Sequence, residues 1–230
     1  PVPAVSAGEK IGPYLSQLLW KPIPYGMTTI TQKYAAGAHG VDFMTTLAEC
    51  LRVQNGIAPS QALTLGAPVY GGCGRDLGEY VHKDFSYQAF LNAALILLGL
   101  GAAALDDANP YKAYANRAGF VCMGGPDVLS MVAQVAALAL KAAWYQKWSV
   151  NRTLRPEAFA LRVHQSESGV RSYPIHAALI ASPVLDRLHA AHGSVLLPMA
   201  FAEGSPTHPS YPAGHAAIAG ACVTVLKAFF

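Results

Sequence analysis

The sequence is poor in charge. Lys, Arg, Asp and Glu make up 13% of its 230 residues, against roughly 25% in typical soluble proteins. The balance is slight, a net +3 with histidine neutral, and there is no run of Lys or Arg. Nucleic acid is therefore not an expected partner. Cysteine is scarce as well. Cys50, Cys73, Cys122 and Cys222 fit neither a CxxC pair nor a zinc spacing, and they read as separate buried thiols rather than disulfides. No alternating strand pattern of any length, no internal repeat and no signal peptide is visible. Pro1-Val2-Pro3-Ala4 does not look like a natural start, and Val223–Phe230 stops inside an apolar helical pattern. The chain is expected to be a fragment of a longer protein, with a processed or incomplete N-terminus.

Hydrophobic residues are abundant at 53%, so much apolar surface must enter a helical core or a subunit interface. Ala89–Leu105 and Val128–Tyr145 are the most apolar stretches. Each is short of the roughly 20 uninterrupted residues of a membrane span, or is broken by Asn92, Gln134 or Lys141. They read as buried bundle helices, and no membrane partner is expected. Other helices are expected over Asp42–Gln54, Asp76–Leu105 (as two), 128–146 with Asp127 as N-cap, a short element from Arg155-Pro156, Ile175–Ala191, and Ala216–Phe230. Residues 1–40, 56–76, 106–126, 164–175 and 203–214 read as irregular. The fold class is all-α, in a single domain over 1–230.

Two polar clusters stand out from this apolar background. His208-Pro209-Ser210-Tyr211-Pro212-Ala213-Gly214-His215 places two histidines seven positions apart, just ahead of the last helix. A Gly-His pair at a helix start offers backbone N–H groups and an imidazole to an oxyanion. Upstream lie Lys147, Arg152 and Arg155. Guanidinium makes paired, charge-assisted bonds to an oxyanion, an ammonium adds a point charge, and an imidazole can move a proton near neutral pH. Lys147, Arg155, the Gly214 N–H and His215 supply that set in chain order. His39, His82, His164, His176, His189 and His192 read as ordinary core or surface residues, and Asp106 with Asp107 as a solvated loop pair that could hold a structural calcium.

A lysine eight positions before an Arg-Pro, followed by Pro-Ser-Tyr-Pro-x-Gly-His, resembles the vanadium-dependent haloperoxidases, in the superfamily of the type 2 phosphatidic acid phosphatases and bacterial class A acid phosphatases. Gly74-Arg75-Asp76-Leu77-Gly78-Glu79-Tyr80-Val81-His82, Tyr87–Ala93 and Trp144-Tyr145-Gln146-Lys147-Trp148 look like segments of the algal and cyanobacterial bromoperoxidases. The likeness runs from about residue 23 to the end. It implies a helical bundle, a vanadate cofactor, and oxidation of halide, bromide above all, by hydrogen peroxide to an equivalent of hypohalous acid that halogenates small organic substrates. It also implies a homo-oligomer, in an extracellular or cell-wall setting.

By the same resemblance, Lys147, Arg155 and the Gly214 N–H hold equatorial oxygens, Lys147 polarises the peroxide, and His215 is the acid–base residue. His208 and Trp144 lie near the halide. Ala213 stands where the family usually has serine, so one donor is missing, with Ser210 as a conceivable substitute. The further arginine and the vanadium-ligating histidine of the family are not in this chain, since residues 216–230 contain neither residue type. The competing readings are an acid phosphatase with the same cage and an inactive truncated subunit.

Overall fold

The computed structural model describes residues 16–230; the expectations for residues 1–15 lie outside them. The elements in order are a hairpin, β1 (Ile23–Tyr25) and β2 (Thr28–Ile30), then helices α1 (Leu47–Gln54), α2 (Gly74–Lys83), α3 (Gln88–Gly99), α4 (Gly125–Tyr145), α5 (Pro156–Glu167), α6 (Ala177–Ile180), α7 (Pro183–His192) and α8 (Gly214–Phe229). A π-helical turn, Gln146–Asn151, directly continues α4. The class is all-α as expected, and the hairpin is its small exception. Its strands are three residues long, too short to show a two-residue period.

Several boundaries differ from expectation for local physical reasons. Helix α1 starts at Leu47 because the Thr46 hydroxyl accepts the Glu49 N–H. The residues before it pair elsewhere: Phe43 exchanges both backbone hydrogen bonds with Met199. Asp127 is not the cap of α4. The helix begins at Gly125, with Pro126 pre-set for the first turn, and the Asp127 carboxylate accepts the Met123 N–H at 2.7 Å. Helix α5 runs on to Glu167. The single helix expected over Ile175–Ala191 is two, because Pro183 cannot continue a helix but suits a new first turn, capped by Ser182.

The chain divides into two compact units. One comprises residues up to Ala35, Ala67–Ala142 and Gly214–Phe230. Its core joins Ala93 and Ala94 of α3, Val128, Val132 and Ala136 of α4, and Ile218, Cys222, Leu226 and Phe229 of α8. The four-residue spacing on α4 and α8 makes each a single buried stripe. The segment Gly125–Glu167, which opens with α4, contains a stretch long and apolar enough to cross a membrane by length and composition. Its Val128, Val132 and Ala136 are nonetheless spent on this core. The hairpin packs on α3, where a Cβ on Gly99 would sit 2.8 Å from Pro24 Cγ. Ile218 is 1% exposed. Ile218→Ala is expected to lower the unfolding free energy by about 2–5 kcal/mol, read from urea melts followed by far-UV circular dichroism.

The other unit comprises Ala36–Gly66 and Ala143–Ala213. It has two smaller cores: Met44, Cys50, Leu161 and Leu196, and Val163, Leu185 and Val195. None of the four cysteines forms a disulfide; Cys50 and Cys222 are buried, but Cys73 is half-buried and Cys122 exposed, contrary to expectation.

Candidate active site

Lys147 is the largest fully buried side chain among the described residues, 1% exposed. Lys147 is the second residue of the π-helical turn and lies four positions after buried Ala143, so helical spacing faces it inward while Trp148 and Val150 stay exposed. Its ammonium donates to the Pro209 carbonyl at 2.6 Å and lies 5.9 Å from the centre of the Trp144 ring. Among the described residues no carboxylate bonds it. Burial, and then the charge of Arg155, hold its pKa below the ordinary lysine value. A buried ammonium next to a guanidinium, without a carboxylate of its own, is a site for an anion.

Arg155 precedes α5, whose Pro156 sets the first turn. Its Nε donates to Glu157 Oε1 at 2.8 Å, and its Nη1 reaches the His208 carbonyl at 3.5 Å. One edge of the guanidinium is thus fixed by Glu157, a residue the sequence reading passed over. Glu157→Gln removes the charge but keeps the shape. It is expected to weaken oxyanion affinity by about 3–10-fold, the size of one weakened charge-assisted bond, read by titrating vanadate against the fluorescence of Trp144 and Trp148.

The loop carrying His208 is tied to the same unit. His208 packs its ring against Trp144, with centroids 4.8 Å apart, and its Nδ1 lies 3.0 Å from the Pro209 carbonyl. Nδ1 therefore carries the proton, and Nε2 is left as the acceptor. Ser210 does not replace the missing serine. Its N–H donates to Thr153 O and its hydroxyl to Leu154 O at 3.1 Å, so its proton is spent on the backbone. Arg152 also stays apart, left-handed at φ 48° with Nε on Trp148 O.

In the other unit, Gly214 opens α8 and its N–H is among the four that no helical carbonyl can take. Ala213 has no side-chain oxygen to cap them. His215 Nε2 lies 3.1 Å from both carboxylate oxygens of Asp84. Asp84 is 4% exposed and follows α2, the end where the helix dipole disfavours a negative charge. It is held by the Ser86 N–H and by His215; no lysine or arginine bonds it among the described residues. Asp84 was missed in the sequence because it lies 131 positions from His215, with no local pattern to mark it.

Two of the remaining histidines have local structural partners. His176 caps α6 and His189 pairs with Glu167.

No family profile matches the chain. Individual proteins do. The vanadium-dependent bromoperoxidase of Corallina pilulifera is 38% identical over 274 aligned residues, covering 97% of this chain and 45% of that protein. The bromoperoxidase of Ascophyllum nodosum is 35% identical over 236 residues, covering 98% and 42%. The chain is homologous to the vanadium-dependent bromoperoxidases. It spans about 45% of the length of the first relatives. The fold agrees: the homohexameric structure of the second vanadate-dependent bromoperoxidase from Ascophyllum nodosum superposes with a TM-score of 0.84 at 30% identity, covering 97% of this chain and 38% of that one.

Proposed function

We propose that the protein containing this chain is a vanadate-dependent haloperoxidase that oxidises halide, bromide foremost, with hydrogen peroxide and thereby halogenates small organic substrates. The observation that carries the reading is Lys147: a buried ammonium beside Arg155 with no carboxylate partner, in a chain 35–38% identical to vanadium-dependent bromoperoxidases. These donors fit a tetrahedral oxyanion. Lys147 and Arg155 would hold its oxygens, and Ala213 would contribute only backbone; the Gly214 N–H is the further donor that the resemblance implies.

When bound, vanadate supplies Lewis-acid activation of hydrogen peroxide without changing oxidation state. The protein's own part is electrostatic and protonic. Lys147 and Arg155 place fixed positive charge where the oxyanion's charge increases, in surroundings that exclude water around Lys147. Asp84 fixes His215 with the proton on Nε2, so Nδ1 is the nitrogen free to take or give a proton. His208, with its free Nε2, and the Trp144 ring it packs against would border the halide.

Assembly as a homo-oligomer is part of the same proposal. Trp148 and Tyr145 are exposed at 50% and 63%, apolar surface suited to a subunit contact. The 230 residues would form part of one helical haloperoxidase-like domain. A structural calcium at Asp106 and Asp107 has no such support. Asp107 binds Lys112 at 2.6 Å, and Asp106 accepts the Ala108 N–H.

The test is bromination of a phenol red indicator by the full-length protein with bromide and peroxide, with and without added vanadate. Activity that appears only with vanadate is expected. Hydrolysis of a phosphomonoester with no vanadate-dependent bromination would overturn the proposal in favour of the phosphatase. Ala213→Ser should restore the missing donor and tighten vanadate binding by about 1.5–3 kcal/mol, measured by isothermal titration.

A further inference from the structure

A second site, unrelated to Lys147 and His215, lies at the C-terminal end of α5. The chain leaves that helix through Gly169, at φ 71°, and folds back along it. Four bonds pin the return. The Arg171 N–H donates to Gln165 O at 3.1 Å, and the Ser166 hydroxyl donates to Arg171 O at 3.2 Å. The same hydroxyl accepts the Tyr173 N–H at 3.1 Å, and the Tyr173 hydroxyl donates to Gln165 Oε1 at 3.0 Å. The Tyr173 ring is thereby fixed, and two guanidiniums lie over it. The Cζ atoms of Arg162 and Arg171 are 5.4 and 5.5 Å from its centroid.

Two like charges on one ring repel, and each cation–π contact contributes only about 0.5–1 kcal/mol at an exposed position. A carboxylate partner would offset that repulsion through charge-assisted bonds. Here neither arginine forms an ion pair among the described residues. The acidic residue at the end of α5, Glu167, is engaged by His189 Nε2 at 3.2 Å. The guanidiniums open onto a cavity of about 460 Å³, the size of a small-molecule site. No acidic residue lines it, and Leu51, Leu154 and Leu161 supply an apolar wall.

We propose that this cavity binds a small organic carboxylate with an apolar body. The carboxylate sits between the guanidiniums of Arg162 and Arg171, which present paired donors to it. The hydrocarbon lies against Leu51 and Leu154. Because the loop bonds hold the Arg171 backbone and the Tyr173 ring in place beforehand, less ordering is left to the ligand. An inorganic anion could satisfy the charge but leaves the apolar wall uncovered. A neutral alcohol does the reverse.

The experiment is calorimetric titration of the full-length, vanadate-free protein with hexanoate, hexanol, acetate and inorganic phosphate. Hexanoate is expected to bind saturably, and at least about tenfold more tightly than acetate, phosphate or hexanol. Arg162→Gln and Arg171→Gln, both at exposed positions that should not disturb folding, should each weaken hexanoate by about tenfold, with circular dichroism unchanged. Lys147→Met should bind hexanoate like the parent. Absence of saturable hexanoate binding overturns the proposal. So does binding that neither arginine variant changes, binding of hexanol or phosphate as tight as hexanoate, or loss of hexanoate binding in Lys147→Met. Failure here leaves vanadate-dependent bromination untouched, and the reverse also holds.

Discussion

Lys147→Met makes the vanadate-free protein more stable and abolishes its response to vanadate. Methionine keeps the length and apolar stem of the side chain and removes a charge that is 1% exposed, next to Arg155, with only the Pro209 carbonyl as a bonded partner. Replacing a poorly compensated buried charge by a hydrophobic side chain of similar volume raises stability by about 1–4 kcal/mol in comparable cases. The same substitution deletes a charge proposed to hold the oxyanion. Vanadate affinity should fall at least about a hundredfold, two charge-assisted bonds' worth. Vanadate should then no longer raise the melting temperature, as a ligand of the native state otherwise must.

The pH dependence gives an independent reading. Burial, then Arg155, lower the folded-state pKa of Lys147. Between that lowered value and the ordinary one, the unfolded chain holds a proton that the folded chain has released. Stability rises with pH through that window, and the rise should be missing in Lys147→Met. Urea melts across the alkaline range measure it. A variant no more stable than the parent, with vanadate still bound, would contradict both the burial cost and the role in binding.

Loss of the Asp84–His215 pair is the second large effect. His215→Ala removes the proposed proton-transfer group and should lower kcat for bromide oxidation by about 10²–10⁴. Asp84→Asn should recover none of the fixed tautomer, because an amide can donate to Nε2 and stabilise the wrong one. The loss of a tautomer-fixing carboxylate costs about 10⁴ in kcat in the serine protease triad. Here His215 is 46% exposed, so water can partly replace the carboxylate, and about 10–10² is expected. The KM for bromide should change little. In the double variant the losses should not add, since each single change breaks the same contact. Additive losses would show that Asp84 supports the fold of its own unit rather than His215.

The comparison between sequence and structure turns on separation along the chain. Helix α8 was legible because its apolar positions repeat at the helical period and a proline-rich segment delivers it. The start of α5 was legible in the same way, from Pro156. Local stereochemistry suffices for both. The α1 boundary was misjudged because Phe43 has the right spacing for a helix but exchanges backbone bonds with Met199, and no local rule reports a partner that distant. The break at Pro183 was a local signal that the apolar pattern of Ile175–Ala191 outweighed.

By itself, the sequence determined the helical class, the start of α5 and the presence of α8, and it singled out the candidate oxyanion-holding side chains, since periodicity, proline stereochemistry and charge are properties of residues and near neighbours. Only the tertiary structure decided which of those charges is buried and what bonds it. It left Lys147 without a bonded carboxylate among the described residues, turned the Ser210 hydroxyl onto Leu154 O, and brought Asp84 to His215. Desolvation and hydrogen bonding depend on what packs against a group. For these residues the packing comes from segments tens to more than a hundred positions away.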